Sequence, residues 1–341
     1  MKSKRATTMA DIARLANVSK PTVSRALHDS PLVTDKTKRH VLAVAQKHGY
    51  VVNRNAQKLR RARTDTIAVV LDFKSHRQGR ISDPFIFDLL AGVSEALGQR
   101  NQDLLLCSPG HSGTRSLRAI VGSKGADGVI FLGQGARGDE LFELAGAGVP
   151  MVVWGAVREG LPYCAVGSDN LLGGRLAGDY LLGLGRRRFL FVGDTEHWEI
   201  QLRRRGLSEA IAAAGWPVVV DDLVLDDFSY ATSYDAALAL VRTQGGHPES
   251  FPPDAVFACS DTAAMAFINA FREAGLTVGE AVSVVGYNDI PLAAHFNPPI
   301  TTIHQDVHTA GALLVDKLMA VIEGEQPPSV TLDTRLIIRQ S

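Results

Sequence analysis

Between Val18 and Arg25 the chain reads Val-Ser-Lys-Pro-Thr-Val-Ser-Arg, a short run in which hydroxyls and cations recur. The hydroxyls of Ser19, Thr22 and Ser24 donate and accept hydrogen bonds, Lys20 carries a point charge, and Arg25 can offer two parallel N–H donors to one guanine. This is chemistry for base edges and phosphates rather than for making or breaking bonds. The surrounding charge agrees. The first 63 residues hold 15 Lys and Arg against 3 Asp and Glu, a net of +12, and the remaining 278 hold 21 against 33, a net of −12. The formal zero of the whole chain is therefore a cancellation. A basic head on an acidic body implies a polyanionic partner for the head, and nucleic acid fits best.

Three short helices must position those groups. Thr8 is a good N-cap for a helix with Ile12, Leu15 and Ala16 at helical spacing, and Asn17-Val18-Ser19 breaks the pattern. Ser19 then caps a second helix that tolerates Pro21 in its first turn and turns Val23, Ala26 and Leu27 inward. After a turn at Asp29-Ser30-Pro31, Thr34 caps a third helix with Val41, Val44 and Ala45 inward, ended by Gly49. Helix, tight turn, helix is the helix-turn-helix arrangement. It would lay the second helix in the major groove, with Lys20, Pro21, Thr22, Ser24 and Arg25 toward bases and phosphates. The plain alternative is a small basic bundle without a reading role.

Composition narrows the rest. A chain of 341 residues, 45% apolar, is expected to fold as two or three domains. No apolar run reaches the roughly 20 residues of a membrane span, and the N-terminus does not read as a secretory signal. Cys107, Cys164 and Cys259 are scattered and odd in number, so a reducing cytoplasm is the expected location. His111, His197, His247, His295, His304 and His308 show no metal-ligand spacing, and surface or turn roles are expected for them. No Ser-His-Asp order and no phosphate-binding G-x-x-x-x-G-K-[ST] run is present. The expectation is a protein that is not an enzyme and takes no cofactor and no metal.

The stretch MADIARLANVSKPTVSRALHDSPLVTDKTKRHVLAVAQKHGY resembles the DNA-binding headpiece of the LacI/GalR family of bacterial transcription regulators. Residues 1–50 are accordingly read as the helix-turn-helix headpiece, and residues 51–63, VVNRNAQKLRRAR, as its hinge. The resemblance implies a hinge helix that forms only on operator DNA, where a leucine wedges between base pairs in the minor groove. Asn53, Arg54, Ala56 and Leu59 match that motif, with Leu59 the wedge. Val52 stands where the family usually has proline. Thr8, Ser19, Lys20, Pro21, Thr22, Ser24 and Arg25 complete the expected DNA contacts. The alternative for residues 51–63 is a plain basic linker.

From Thr66 on, apolar strands alternate with amphipathic helices, which implies parallel sheets covered on both faces. In the helix PFIFDLLAGVSEALGQR, Phe85, Leu89, Val93 and Leu97 recur at i, i+4, i+8 and i+12. This half also resembles the family's effector-binding core, above all in VSVVGYNDIPLAAHFNPPITTIHQD. The expected fold is thus a small all-α helix-turn-helix head plus an α/β periplasmic-binding-protein-like core of two doubly wound parallel-sheet subdomains. The core, residues 64–341, would divide into an N-subdomain of about 64–156 and 306–330 and a C-subdomain of about 157–305 and 331–341. Ligands are expected beyond the carboxyl ends of the strands, in the cleft between them.

The resemblance assigns Phe85 and Ile86 to packing on the ligand, Arg203 to the family's ligand-binding arginine, Phe228 to its stacking aromatic, and Ser260, Asn288 and Gln305 to polar cleft positions. Asp83 precedes Phe85 and is suited to accept hydroxyl protons, and Trp154 offers further stacking surface. Aromatic plates with amides and one guanidinium suit a sugar ring. Asp169-Asn170 and Asp261 read as helix caps. Many family members carry an aspartate where this chain has Asn288, and often one at Gly155, so the pocket is expected to be less acidic than usual. The segment KSHRQGRISDP is longer than the typical first loop and would line or lid the cleft. The expected effector is a neutral carbohydrate such as a glucoside or small oligosaccharide, with a purine or a sugar phosphate, acting as co-repressor, as alternatives.

The C-terminus has no leucine heptad tail, so a twofold homodimer on a pseudo-palindromic double-stranded operator is expected. The reading is a repressor of carbohydrate-utilisation genes released from DNA by its effector. The competing reading is a carbohydrate-binding protein without a DNA role, against which the basic head argues.

Overall fold

The computed structural model describes residues 8–27, 29–50, 63–71, 83–107, 118–119, 121–123, 125–134, 138–194, 197–225, 228–243 and 253–341. The hinge expectations for Asn53, Arg54, Ala56 and Leu59, and the long loop up to Ser82, lie outside the described residues. The chain divides into two compact units, Met1–Thr64 and Asp65–Ser341.

Among the described residues the first unit holds three helices, α1 (Met9–Leu15), α2 (Lys20–Leu27) and α3 (Asp35–Lys47). Thr8 and Asp11 form a reciprocal capping box at α1: the Asp11 N–H donates to Thr8 Oγ1 at 3.2 Å and the Thr8 N–H donates to Asp11 Oδ2 at 2.9 Å. Ser19 Oγ accepts from the Thr22 N–H at 3.2 Å, and Thr34 caps α3 in the same way through Thr37. Asn17, at φ +53°, makes the tight turn between α1 and α2. The core is Ile12, Ala13, Ala16, Val23, Ala26, Val41 and Ala45. Leu15, expected inside, is 45% exposed, because Ala13 occupies the inward face. Lys38 Nζ donates to Asp29 Oδ1 at 2.6 Å and His40 Nε2 donates to the Ala16 carbonyl at 3.1 Å, so α3 clasps the ends of both earlier helices.

The second unit holds two six-stranded sheets. The first is built from β1 (Thr66–Leu71), β2 (Asp103–Cys107), β3 (Gly128–Leu132), β4 (Met151–Trp154), β5 (Cys164–Ser168) and β11 (Val330–Leu332), in the order β11-β5-β4-β3-β1-β2 and parallel throughout. The second is built from β6 (Arg188–Gly193), β7 (Val219–Val224), β8 (Ala255–Ala258), β9 (Ser283–Asn288), β10 (Thr301–Gln305) and β12 (Thr334–Ile337), in the order β12-β10-β9-β8-β6-β7, with only β12 antiparallel. Strands β3, β4, β5, β8 and β9 are buried along their length, as strands covered on both faces must be, whereas the edge strands β2 and β7 are half exposed.

The lobe boundaries differ from those read in the sequence. Cys164–Ser168 pairs with β4 and belongs to the first sheet, so the chain crosses at Ser168–Asn170 rather than near residue 157. The other crossings follow β10 and β11, and Val330–Leu332 stays with the first sheet. The reason is physical: the apolar run Cys164–Val166 completes a parallel sheet with β4, and only beyond Ser168 does the chain lack a neighbouring strand to extend it.

Helices α4 (Pro84–Gln99), α5 (Gly138–Gly146) and α10 (Val307–Ile322) belong to the first lobe. In α4, Phe85, Leu89, Val93 and Leu97 are all buried, at the spacing that the sequence shows. Helices α6 (Asn170–Gly183), α7 (Trp198–Ala214), α8 (Tyr230–Thr243) and α9 (Asp261–Glu273) belong to the second. Helices α6 and α7 cross with backbone in contact: a Cβ on Gly174 would lie 2.0 Å from the Arg203 carbonyl oxygen, and one on Gly206 would lie 2.0 Å from the Leu171 carbonyl oxygen. Such an approach needs glycine on both helices. Gly206→Ala is therefore expected to destabilise the second unit by about 1–3 kcal/mol, since the facing atom is backbone and cannot step aside. Urea unfolding measures it, and an unchanged midpoint would show that the helices slide apart freely.

Candidate functional site

The carboxyl ends of the parallel strands converge on a cleft between the two lobes. Its described lining is Asp83, Phe85 and Ile86 at the start of α4, Leu132-Gly133-Gln134 after β3, and Trp154 at the end of β4. From the second lobe come His197, Glu199, Ile200 and Arg203 on or before α7, Phe228, Cys259-Ser260 after β8, and Asn288 at the end of β9. Eight of the nine effector positions expected from the sequence meet here. The ninth, Gln305, sits behind the wall: it is buried and its Nε2 donates to Asn288 Oδ1 at 2.7 Å. It orients the Asn288 amide, which in turn donates to Asp83 Oδ2 at 3.5 Å across the lobes.

Three aromatic rings supply stacking surface. Phe85 and Trp154 lie 5.9 Å apart on the first lobe, and Phe228 meets the His197 ring edge-on at 5.8 Å on the second. Phe85 is placed by the α4 cap, where its N–H donates to Asp83 Oδ1 at 3.1 Å. Asn288 adopts φ +110°, a strained conformation for a residue with a side chain. The adjoining Asp289 is held by Arg339 at 2.6 Å and by His304 Nδ1 at 2.9 Å.

Arg203 is the inward-facing member of Arg203-Arg204-Arg205: Arg204 pairs with Asp222 and Arg205 with Glu209 on the exposed side. Its guanidinium lies 3.5 Å over the Tyr287 ring, its Nε donates to Asn170 Oδ1 at 2.8 Å, and one terminal nitrogen donates to the Cys259 carbonyl at 2.7 Å. Asn170, read as a structural cap residue, therefore positions Arg203 without lining the cleft itself. Its neighbour Asp169 does the capping, accepting from the Leu172 N–H at 2.9 Å.

Several residues were not foreseen. Gln134 is buried and clasps the Ala156 backbone with two hydrogen bonds of 3.0 Å, and it fills the space where a side chain at Gly155 would go: a Cβ there would lie 2.5 Å from Gln134. His197, expected at the surface, lines the cleft, and its Nδ1 meets Asp194 Oδ2 at 2.5 Å. Glu199 adds a carboxylate, so the cleft is more acidic than the sequence suggested. All three follow strand ends, so the carboxyl-end rule applied strand by strand would have found them. Cys259 is fully buried and its thiol is pushed up to about 12 by that burial, which leaves it protonated and unreactive. No group of three or more His, Cys, Asp or Glu suited to a metal occurs among the described residues. No helix of the described residues is long and apolar enough to cross a membrane.

Asp261 was expected to cap α9. The cap is Ser260, whose Oγ accepts from the Ala263 N–H at 3.2 Å. Asp261 points inward instead, accepting from the Ile290 N–H at 2.8 Å and from the Thr302 hydroxyl. It thereby joins the cavity segment at Ser260 to the Asn288–Ile290 turn. Burial pushes its carboxyl up to about 7, against the opposing effect of those two hydrogen bonds. A raised acid pKa contributes stability fully below its ordinary value, near 3.8, and loses it as pH rises through about 7. Relative to Asp261→Asn, the wild type is expected to lose stability over that window, by up to about 1.4 kcal/mol per pH unit. Urea unfolding at several pH values tests this, and parallel curves would rule it out.

On the head, Thr8, Ser19, Lys20, Pro21 and Arg25 are exposed, and Thr22 and Ser24 are half-buried along the start and middle of α2. Thr22 Oγ1 is 2.8 Å from Ser19 Oγ. On α2, Lys20, Pro21, Thr22, Ser24 and Arg25 lie on the side away from the buried Val23 and Ala26.

Comparison with known proteins agrees with both units. Residues 8–53 match a family model described as bacterial regulatory proteins, lacI family, and residues 179–341 match one described as a periplasmic binding protein-like domain. The chain is 33% identical over 350 residues to the HTH-type transcriptional regulator CelR of Thermobifida fusca, covering 100% of both chains. It is 30% identical to the ribose operon repressor of Escherichia coli strain K12, covering 92% of each. Among solved structures, a CelR–cellobiose complex superposes with a TM-score of 0.70 at 31% identity, covering 98% of this chain and 99% of that one. A lac repressor dimer bound to operator and an anti-inducer superposes at 0.82 and 24% identity, with the same coverage, which speaks to fold alone.

Proposed function

The chain belongs to the LacI family of bacterial regulatory proteins, and from that premise we propose that it represses carbohydrate-utilisation genes until a neutral sugar enters the cleft of its core. It is a DNA-binding transcription regulator and not an enzyme. One observation carries the sugar reading: three aromatic rings face a cleft that also carries Asp83, Glu199, Asn288 and Arg203. A saccharide presents apolar C–H faces for the rings and a rim of hydroxyls that both donate and accept. A cellobiose-bound relative and ribose operon repressors among the similar proteins support the same class of ligand.

In this reading Ser19, Lys20, Pro21, Thr22, Ser24 and Arg25 enter the major groove and Thr8 meets the backbone. Asn53, Arg54, Ala56 and Leu59 engage the minor groove, Leu59 as the wedge. The protein acts as a homodimer on a pseudo-palindromic operator in the cytoplasm. The effector touches both lobes: Asp83, Phe85, Ile86 and Trp154 on one, and Arg203, Phe228, Ser260 and Asn288 on the other, with Gln305 behind Asn288. It therefore favours one arrangement of the lobes, and operator affinity falls through that difference in affinity alone.

A gel shift with the DNA upstream of the protein's own gene, at two salt concentrations, with and without a saccharide panel, tests the proposal. Sequence-selective retention lost on adding a sugar is expected; retention that ignores sequence, or that no saccharide changes, would sink it. Arg25→Ala is expected to cost about 1–3 kcal/mol of specific binding and to relax preference at one operator position. A selection over randomised operators reads that out. Arg203→Ala is expected to abolish the thermal shift that an effector produces, because it removes the cation that Asn170 and Tyr287 position. A shift of normal size in the variant would move the effector elsewhere.

A further inference from the structure

At the end of β9 two successive residues have positive φ. Asn288 stands at φ +110°, beyond the left-handed well that an asparagine can use, and Asp289 stands at φ +58°, inside it. Asn288 is buried and lines the cleft, whereas Asp289 is not among the lining residues. The Asp289 carboxylate accepts from an Arg339 terminal nitrogen at 2.6 Å on one oxygen and from His304 Nδ1 at 2.9 Å on the other. Arg339 is itself fixed. Its other terminal nitrogen donates to the Ile300 carbonyl at 2.8 Å, and its backbone N–H donates to Thr301 Oγ1 at 3.0 Å. Two residues further on, the buried Ser341 donates to the Val284 carbonyl at 2.6 Å and accepts from the Thr301 N–H at 2.9 Å. The segment 339–341 thus grips both β9 and β10, away from the cleft lining.

The Asn288 side chain has a fixed polarity. A carboxylate only accepts, so the atom that faces Asp83 Oδ2 at 3.5 Å is the amide nitrogen. The amide oxygen points the other way and accepts from Gln305 Nε2 at 2.7 Å. Asn288 therefore presents a donor to the cleft, suited to an oxygen of the effector. That presentation needs the backbone at residues 288 and 289 to stay where it is. We propose that Arg339, which does not line the cleft, is a positioning residue of the effector site: through Asp289 it holds Asn288 in its strained conformation and so aims the amide nitrogen at the effector. Once the ion pair is lost, the turn relaxes in the free protein and binding must restore the strain. Affinity then falls although no contact to the ligand has been removed. The proposal rests on the cleft being the effector site, and it goes further by tying that site to a side chain outside the sequence-derived set.

Calorimetric titration of the full chain tests it, with cellobiose, gentiobiose, glucose and ribose as probes and a thermal melt of every variant alongside. Arg339→Gln is expected to weaken binding of the saccharide that wild type takes by about tenfold. Arg339→Lys is expected to recover most of that loss, because it restores a cation beside Asp289. Arg186→Gln is the control for general loosening. Arg186 braces the other end of β9, donating to Ser283 Oγ at 3.2 Å and to the Glu280 carbonyl at 2.7 Å, and its loss is expected to lower the melting temperature and leave affinity alone. Asn288→Gly accepts the backbone angle and lacks the amide. In that background Arg339→Gln is expected to cost no further affinity. Should Arg339→Gln not fold, Asp289→Asn removes the same ion pair and takes its place. Unchanged affinity in Arg339→Gln, an equal loss in Arg186→Gln, or losses that add in the double variant would overturn the proposal and leave the saccharide site standing. If no probe binds wild type, the effector reading itself fails and the proposal falls with it.

Discussion

A guanidinium buried at the edge of a cleft sets the terms for the core. Arg203 is 8% exposed, and a cation so placed is tolerated only if its donors are met and its charge is cushioned. Asn170 and the Cys259 carbonyl meet two of its nitrogens, and the Tyr287 face carries the charge. Those partners come from the start of α6, the end of β8 and the interior of β9. One side chain therefore ties together the crossing segment, the cleft wall and the central sheet of the second lobe. Asn170 itself donates to the Ser168 carbonyl at 3.0 Å, which carries the link back to the last residue of the first lobe's β5.

The glycine pairs follow from the same constraint. Arg203 reaches Asn170 only because α6 and α7 lie with backbones in contact at Gly174 and Gly206. The first lobe uses the same device where α4 meets α10, with Gly92 against the Val307 carbonyl and Gly311 against the Gly92 backbone. Each lobe thus has a close-packed helix pair beside its cleft wall. In the proposed function, an effector between Phe85 and Trp154 on one side and Phe228 and Asn288 on the other would bridge two lobes joined by three crossings of the chain. Such a ligand would act by binding one arrangement of the lobes better than the other.

The head works by a different economy. Its core is seven small or branched apolar residues, and its helices are held by caps at Thr8, Ser19 and Thr34 and by the reach of Lys38 and His40 between segments. The Lys38 and His40 contacts span 9 and 24 residues, but the caps are local, each made within three residues. That is why the three helices and their caps were readable in advance, whereas Leu15 was misjudged. At 3.6 residues per turn Ala13 and Ala16 complete the inward stripe with Ile12, and choosing among neighbours on one turn needs the packing partner.

What the sequence determined by itself is the part governed by local periodicity and charge: the cationic three-helix head, the alternation of strands and helices, the inward face of α4, and the strand ends at which side chains would gather. What only the tertiary structure decided is which side chains from distant segments share a space. The sequence did not show that Gln134 would occupy the room beside Gly155, that His197 would meet Phe228 in the cleft, or that Asp261 would abandon its cap for Thr302 and Ile290. Nor did it place Cys164–Ser168 in the first sheet, because a buried parallel strand looks the same whichever sheet it joins. Local patterns report how a segment folds on itself; partners brought together by two sheets and three crossings are separated by tens to hundreds of residues, and their proximity exists only once the chain has closed.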